Sequence, residues 1–290
     1  MEELLFYIVR LKTKKLAVRT IEEYSRVLYA FHNFFHNKSI EIRDVTFQDI
    51  RDYLIFLLET NKEISTNHHI VIIRAFYNWM VDRRGLSVNP CLRVETLKEE
   101  DLLPVFLVQR ELNLLYKLID EDNSIKIQDV TMLDVLVGTG IRTVELCNLK
   151  TTDYFEDAGT GFFRLRVTKG GDEREVAMPD YTKDAVLKFM QAIALRGYKE
   201  NWIFPNSFGR QLTRQAVYNR IEKMAKKVKS RKKGAHMLRH TFATLAMNRD
   251  VPIKALQMQM GHKSFDTTAQ YMHTSHERLK NVFDQFHPKA

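Results

Sequence analysis

The sequence predicts a mainly α-helical protein with a small antiparallel β-hairpin, folded as two domains. Apolar residues recur at helical spacing over most of the chain, and they alternate in only one short stretch. At 290 residues the chain is long enough for two ordinary domains, and a hydrophobic fraction of 44% provides for a sizeable core. A polar, charged stretch near residue 100 supplies the boundary between them.

The first domain is predicted to be a bundle of four helices. Two of its helix starts match the capping box, in which a Ser or Thr caps the helix and an acid three residues later caps in return. The starts are Thr20 with Glu23, Thr46 with Asp49, and Ser65, after an opening helix over residues 4–11. The last of these helices is expected to end near Gly85. The aromatic residues at helical spacing are expected to fill the core rather than to stack on bases.

The second domain is predicted to follow a short linker. We assign residues 1–97 to the first domain, residues 98–106 to the linker and residues 107–290 to the second domain. Helical periodicity resumes after the linker and continues to Leu149. From Gly161 the period changes to two, and residues 169–172 form a turn before a returning strand, which is a hairpin signal. Helices are expected from Tyr181 to the end, with a tail helix over residues 275–287.

The charge of the chain points to a polyanionic partner. The formal net charge is +9 and the isoelectric point about 9.4. Residues 210–239 hold eleven Lys or Arg and a single acid, Glu222, and this basic run leads into the sequence around His236. Two cysteines cannot form a disulfide framework, and the chain shows neither a signal peptide nor an apolar run of membrane-spanning length. We therefore expect a cytoplasmic protein that is not bound to a membrane.

One candidate phosphate-binding motif lies where Gly140 precedes Arg142. Gly138 and Gly140 resemble part of a dinucleotide fingerprint, but Thr143 stands where the third glycine is due. The favoured interpretation is that Gly140 makes a tight entry into a helix, from which Arg142 projects toward an anion. Glu145, one turn later, either orients a catalytic cation or forms an ordinary surface pair with Arg142.

A second candidate motif is carried by His236, Arg239 and His240. His236 and His240 are four residues apart, which is a spacing found in metal sites, but the expected glutamate is replaced by Met237 and no third ligand is apparent. His236 and Arg239 share a helix face. A guanidinium can neutralise phosphate oxygens there while the imidazole moves a proton.

Tyr271 is the candidate nucleophile. It follows Gly261-His262 by nine residues, and no such pair precedes the competing residues Tyr154, Tyr181, Tyr198 and Tyr218. A phenol has a pKa of about 10, so attack near neutral pH requires nearby cations that stabilise the phenolate.

These motifs together resemble the tyrosine recombinase (phage integrase) family over the whole chain. Residues 236–244, His-Met-Leu-Arg-His-Thr-Phe-Ala-Thr, are nearly a consensus string of that family. The resemblance implies that the catalytic residues are Arg142, Lys169, His236, Arg239, His262 and Tyr271. Glu145 and His240 are implied as supporting residues. Lys169 lies at the predicted hairpin turn, and Lys150 is its nearest alternative.

The resemblance also implies an architecture. An N-terminal four-helix SAM-like core-binding domain and a C-terminal catalytic domain of the tyrosine recombinase type would form a C-shaped clamp around duplex DNA. Because the helical domain begins almost at Met1, we expect the compact Xer-like type without an arm-binding domain. Basic side chains expected to contact DNA are Lys12, Lys14, Lys15, Arg19, Arg74, Arg83, Arg84, Arg210, Arg214 and Arg220.

The implied function is site-specific DNA recombination through a 3′-phosphotyrosyl intermediate, without metal, ATP or another cofactor. The implied partners are double-stranded DNA with an inverted-repeat core site and further copies of the chain. Two copies would bind one site and four would form the synapse, joined through the tail helix, and a partner recombinase is a further option. Two alternatives remain: a type IB topoisomerase-like nicking-closing enzyme, and a catalytically silent DNA-binding regulator on the same fold.

Overall fold

The computed structural model describes residues 1–60, 63–97, 105–120, 126–166, 173–227 and 234–261. The chain divides into two compact units, Met1–Leu102 and Leu103–Ala290. The described residues form helices and one three-stranded antiparallel sheet, so the predicted fold class is confirmed. None of the described helices combines the length and the apolar composition needed to cross a bilayer.

The first unit is built from four helices around an aromatic core. They are α1 (Glu2–Thr13), α2 (Val18–His36), α3 (Phe47–Thr60) and α4 (Glu63–Arg84). Phe31, Tyr53 and Tyr77 are almost completely buried, and the Phe31 ring meets the Tyr53 ring edge-on at a centroid distance of 5.1 Å. Such edge-to-face pairs are favourable beyond the area they bury. The prediction that these aromatic residues form the core is confirmed.

The helix starts of this unit follow the sequence signals unevenly. Thr46 and Asp49 form the predicted capping box: the Thr46 backbone N–H donates to the Asp49 carboxylate (2.8 Å), and the Asp49 N–H donates to the Thr46 hydroxyl (3.3 Å). The box predicted at Thr20 is wrong, because α2 begins at Val18 and Glu23 pairs with Arg26 instead. Helix α4 begins at Glu63, two residues before the predicted start, and ends at the residue before Gly85, as predicted.

The second unit surrounds one central helix. Its helices are α5 (Gln109–Asp120), α6 (Ile127–Thr139), α7 (Thr143–Cys147), α8 (Asp180–Ala194), α9 (Arg214–Lys227), α10 (Ala235–Asn248) and α11 (Ile253–Met260). Helix α6 packs against α8, α10 and the sheet, and its residues Met132, Leu133, Val135 and Leu136 are buried. A helix that is apolar on most sides is expected at the centre of a domain.

The sheet consists of β1 (Tyr154–Asp157), β2 (Thr160–Leu165) and β3 (Arg174–Met178), in that order. Strands β2 and β3 are antiparallel with Phe163 opposite Val176 and Leu165 opposite Arg174, so the predicted hairpin is confirmed. The sequence did not predict β1. The expectation of helices from Tyr181 onward is wrong in part, because residues 195–213, all of them described, contain no helix.

Candidate active site

Two glycines shape the chain around Arg142. Helix α6 ends at Gly140, which has a φ of +67° in the left-handed region. A Cβ at Gly140 would lie 2.2 Å from the Phe242 ring, and one at Gly138 would lie 2.3 Å from the Thr182 hydroxyl. Gly138 therefore allows close packing and Gly140 makes a tight turn. This agrees with the prediction of a tight entry into the helix at Arg142, rather than with a dinucleotide fingerprint. Arg142 stands at the residue preceding α7, at the predicted helix start.

Glu145 is the buried centre of the site. Its side chain has 0% exposure, so the alternative of an ordinary surface pair is wrong. Arg142 donates to Glu145 twice, from Nη1 to Oε1 (3.0 Å) and from its backbone N–H to Oε2 (2.7 Å). Arg174 also donates twice, from Nη1 to Oε1 (2.8 Å) and from Nη2 to Oε2 (2.9 Å). Four hydrogen bonds thus hold one carboxylate against two arginines.

The pKa of Glu145 reflects two opposed effects. Burial by itself raises the pKa of this carboxyl group, but the hydrogen bonds from Arg174 and from the Arg142 backbone, together with both positive charges, outweigh burial. The pKa therefore lies below its ordinary value, and Glu145 is ionised at neutral pH. An ionised Glu145 is the acceptor that the two guanidinium groups need.

Arg239 is a third arginine near Arg142, and it is buried. Only 3% of the residue is exposed. It extends from α10 and donates from Nη1 to the Gly140 carbonyl (2.6 Å) and from Nη2 to the Met260 carbonyl (2.8 Å). Arg142 donates from Nη2 to the next carbonyl, that of Gly261 (3.2 Å). The two arginines predicted to grip phosphate therefore meet at the C-terminal end of α11.

The family of this chain follows from a comparison that spans the second unit and includes Arg142 and Arg239. Residues 106–278, more than half of the chain, match the model of the phage integrase family. The chain belongs to the phage integrase family. Residues 7–85 match the model of the phage integrase N-terminal SAM-like domain. The predicted resemblance is thereby confirmed, together with the function of a site-specific tyrosine recombinase.

Individual members of this integrase family are similar along nearly the whole chain. Tyrosine recombinase XerC of Staphylococcus aureus (strain NCTC 8325 / PS 47) is 28% identical over 283 residues, which cover 96% of this chain and 93% of XerC. The structure of XerH bound to palindromic difH has a TM-score of 0.78 at 20% identity, covering 95% of this chain and 82% of XerH. The Tn1549 transposon integrase with circular intermediate DNA also reaches 0.78 at 20% identity, covering 97% and 98%. Both structures confirm the fold.

The predicted catalytic residues of this phage integrase fall into two groups. Arg142, His236 and Arg239 lie in the described part of the chain, and Arg142 and Arg239 are brought together. The other three predicted catalytic residues and the tail helix lie outside the described residues: Lys169, His262, Tyr271 and residues 275–287. Their assignments stay predictions. The alternative lysine, Lys150, has its Nζ atom 5.0 Å from the centre of the Trp202 ring.

Sequence reasoning missed two residues of the site. Arg174 on β3 binds Glu145 through both of its terminal nitrogens. Gln259 on α11 fixes this helix to the edge of the sheet: its side-chain oxygen accepts from the Ala177 N–H (3.2 Å), and its side-chain nitrogen donates to the Ala177 carbonyl (2.6 Å). The strand alternation carries a signal for Arg174, which stands in phase with the buried residues Val176 and Met178.

The two histidines of α10 differ in exposure. The His236 residue is exposed and His240 is partly buried, with their ring centroids 5.3 Å apart. Burial, followed by electrostatic interactions with His236 and Arg239, lowers the pKa of His240 to about 4. His240 is therefore neutral at neutral pH. Within the described ranges, no three His, Cys, Asp or Glu side chains are grouped so that they could hold a metal ion.

The low pKa of His240 predicts a specific loss of stability in acid. The folded-state pKa, about 4, lies below the unfolded value of 6.5, so the unfolded chain takes up the proton first as the pH falls. Stability should decrease from pH 6.5 downward, by about 1–2 kcal/mol at pH 5. Urea unfolding at pH 7 and pH 5 measures this change. His240→Gln should reduce the difference between the two pH values by that amount, and an unchanged difference would refute the explanation.

The ten predicted DNA-contacting side chains are not equally available. Seven belong to exposed residues: Lys12, Lys14, Lys15, Arg19, Arg83, Arg210 and Arg214. Three are held by other groups of the protein. Arg74 donates to the backbone carbonyls of Cys91 and Val94, Arg84 pairs with Glu3 (2.6 Å), and Arg220 pairs with Asp129 (3.0 Å). All ten remain predictions, and the seven exposed ones are better placed to reach a phosphate backbone.

Proposed function

We propose that this phage integrase recombines duplex DNA by cleaving one strand with Tyr271 and retaining the phosphate as a 3′-phosphotyrosyl link. One observation supports this above all: Arg142 and Arg239 donate to adjacent carbonyls, those of Gly261 and Met260, at the end of α11. The next residue in the sequence is His262, and Tyr271 follows. The cations needed for phosphate attack therefore border the segment that carries the proposed nucleophile.

The proposed cleavage step replaces one phosphate ester bond with another. The Tyr271 oxygen forms a bond to phosphorus as the bond from phosphorus to the 5′-oxygen breaks. His236 accepts the phenolic proton, and Lys169 supplies a proton to the leaving 5′-oxygen. Arg142, Arg239 and His262 stabilise the pentacovalent phosphorane, whose oxygens carry more charge than those of the starting phosphodiester. A free 5′-hydroxyl of the other duplex reverses the step, so no external energy source is needed.

The arginine cluster suits this chemistry because it carries an excess of positive charge. Three guanidinium groups lie around the end of α11: those of Arg142 and Arg174 bind the one buried carboxylate, that of Glu145, and that of Arg239 donates to the Met260 carbonyl. Two positive charges therefore remain for a bound phosphodiester and the phenolate that attacks it. Tyr154, a competing tyrosine, has the opposite environment. Burial and a hydrogen bond to Glu156 raise its pKa well above the ordinary value.

Lys169 is expected to act as the general acid. Lys169→Ala should slow cleavage of ordinary DNA by about 10²–10⁴-fold, the range for loss of a proton donor. A substrate with sulfur in place of the bridging 5′-oxygen should restore the rate, because a leaving thiolate needs no proton. Single-turnover cleavage of both substrates measures the rescue. Lys150→Ala is the control, since its ammonium group lies against Trp202. Rescue in the Lys150 variant alone would show that the wrong lysine was chosen.

The proposed substrate is an inverted repeat bound by two copies of the chain. XerH is bound to a palindromic substrate in its structure, and a palindromic site matches a two-fold pair of proteins. We extend this to a tetramer in the synapse, joined through the tail helix at residues 275–287. In the sequence of that tail, Leu279, Val282, Phe283 and Phe286 form one apolar stripe. A DNA substrate also fits the cytoplasmic location predicted above.

Covalent capture in the native host tests the proposed function and locates the recombination site in the same experiment. Cells expressing the tagged protein are lysed in denaturant, the protein is purified, and any attached DNA is sequenced. We expect DNA ends that map to one position within an inverted repeat. Absence of attached DNA would favour the silent regulator. A plasmid that carries two copies of the recovered site then distinguishes a recombinase from a type IB topoisomerase-like enzyme. A recombinase exchanges DNA strands between the two copies, whereas a topoisomerase-like enzyme only relaxes the supercoils of the plasmid.

A further inference from the structure

Three arginines that are distant in sequence cap the C-terminal end of α11. Arg239 donates to the carbonyl of Met260 (2.8 Å), Arg142 to that of Gly261 (3.2 Å), and Arg174 Nε to that of Gln259 (3.5 Å). The last carbonyls of a helix have no partners within the helix and form the negative end of its dipole. Cations are therefore stabilising here. Arg239 and Arg142 have proposed roles at the phosphate, whereas Arg174 has none.

Arg174 controls the position of Glu145. Its two terminal nitrogens grip the two carboxylate oxygens in parallel, at 2.8 and 2.9 Å. This bidentate geometry fixes the plane of the carboxylate as well as its distance. The same two oxygens receive the Nη1 and the backbone N–H of Arg142. The guanidinium of Arg142 is thus oriented by a carboxylate that Arg174 holds in place.

Arg174 also lies directly against Gly261. A Cβ at Gly261 would come within 2.7 Å of the Cζ and Nε atoms of Arg174, so the guanidinium occupies the space that any other residue would need. Gly261 has a φ of +64°, which also favours glycine. The carbonyl of this glycine accepts a hydrogen bond from Arg142. The Arg142 side chain donates to Glu145 and to Gly261, and Arg174 lies against both of these residues.

We propose that Arg174 is a positioning residue for the cleavage reaction, acting on the scissile phosphate through Glu145 and Arg142. We assign it no direct contact with the phosphate, because Nε and both terminal nitrogens have partners within the protein, the Gln259 carbonyl and the two Glu145 oxygens. This role rests on the proposed function, since it concerns the rate at which a phosphodiester is cleaved. A purely structural ion pair would affect folding without affecting one substrate more than another.

Single-turnover cleavage of the recovered site tests the proposal. Arg174→Met keeps the length of the side chain and removes its charge. We expect DNA affinity within about twofold of wild type and cleavage slower by about 100-fold, as for loss of a donor to the transition state. Arg174→Lys should be intermediate, because an ammonium group cannot make the bidentate contact. Arg164→Met is the matched control: Arg164 pairs with Glu175 on the same sheet (3.0 Å) but is 46% exposed, and this variant should cleave normally.

A neutral scissile group distinguishes positioning from folding. A methylphosphonate at the scissile position removes the charge that Arg142 is proposed to neutralise. The rate difference between wild type and the Arg174 variants should therefore shrink at least tenfold on this substrate, as it should for Arg142→Ala. An unchanged difference, or a wild-type rate on ordinary DNA, would overturn the proposal. If Arg174→Met does not fold, Arg174→Lys is compared with wild type on the two substrates in the same way. Failure of the wild-type protein to form any adduct would instead refute the proposed function.

Discussion

Tyr271→Phe is expected to bind the recombination site with unchanged affinity and to form no covalent link to DNA. The change removes only the attacking oxygen, so cleavage should fall by a factor on the order of 10⁵ or more, as when a covalent nucleophile is deleted. A nicked duplex that traps the cleaved state makes the measurement direct, because the linked protein migrates separately on a denaturing gel. Binding is measured in parallel by gel shift.

The control for this variant is another tyrosine of the same unit. Tyr181 is 69% exposed, and Tyr181→Phe should cleave at the wild-type rate. Tyr154→Phe loses a hydrogen bond to Glu156 and should also retain cleavage. A covalent adduct that survives in Tyr271→Phe would show that a different residue is the nucleophile. Its loss in Tyr181→Phe or Tyr154→Phe would point to that residue.

Replacing either Arg142 or Arg239 with alanine is expected to slow cleavage by about 10²–10³-fold, equivalent to about 3–4 kcal/mol of transition-state stabilisation. The reason is the same for both, because each guanidinium faces charge that develops on the phosphate oxygens. The two variants should nevertheless differ in stability. Arg239 is buried, and its loss leaves the carbonyls of Gly140 and Met260 without these donors. Each such carbonyl costs about 1–3 kcal/mol.

Stability and catalysis can be separated in these variants. Arg142 is 18% exposed at its side chain, and Glu145 keeps both bonds from Arg174 when Arg142 is removed. We therefore expect Arg142→Ala to unfold near the wild-type temperature while cleaving slowly, and Arg239→Ala to show both defects. Thermal unfolding and single-turnover cleavage on the same samples give the two quantities. Normal cleavage by a folded Arg142→Ala would contradict its proposed role at the phosphate.

The fold could be predicted from the sequence where the signal is local and repeated. The helical period located all four helices of the first unit, and the capping box at Thr46 gave the start of α3. The same motif failed at Thr20, because the preceding residues Val18 and Arg19 already join the helix. Strand β1 was missed because it is four residues long and its turn uses Ala158 and Gly159, both with positive φ, instead of a common Asn-Gly or Asp-Gly pair.

The candidate site was predictable where a motif is contiguous and less so where partners are distant in sequence. Arg142 and Arg239 were identified from their motifs, but their meeting at Met260 and Gly261 depends on the packing of α10 and α11. The burial of Glu145 could not be decided from an i,i+3 spacing, which is the same for a surface pair. Arg174 lies between Glu173 and Glu175 in the sequence, and a run of charged residues is typical of an exposed strand. The sequence therefore did not indicate that Arg174 faces inward and binds Glu145, which is 29 positions away.

Mass spectrometry of the covalent adduct tests the central claim most directly. Trypsin cleaves after Lys263 and after Arg278, and the peptide between them, residues 264–278, contains a single tyrosine, Tyr271. The adduct formed on a nicked site is digested with nuclease and trypsin, and the modified peptide is fragmented. We predict that this peptide carries a nucleotide phosphate on the Tyr271 oxygen. A phosphate attached to any other residue, or an unmodified peptide from a sample that contains the adduct, would contradict the proposed mechanism.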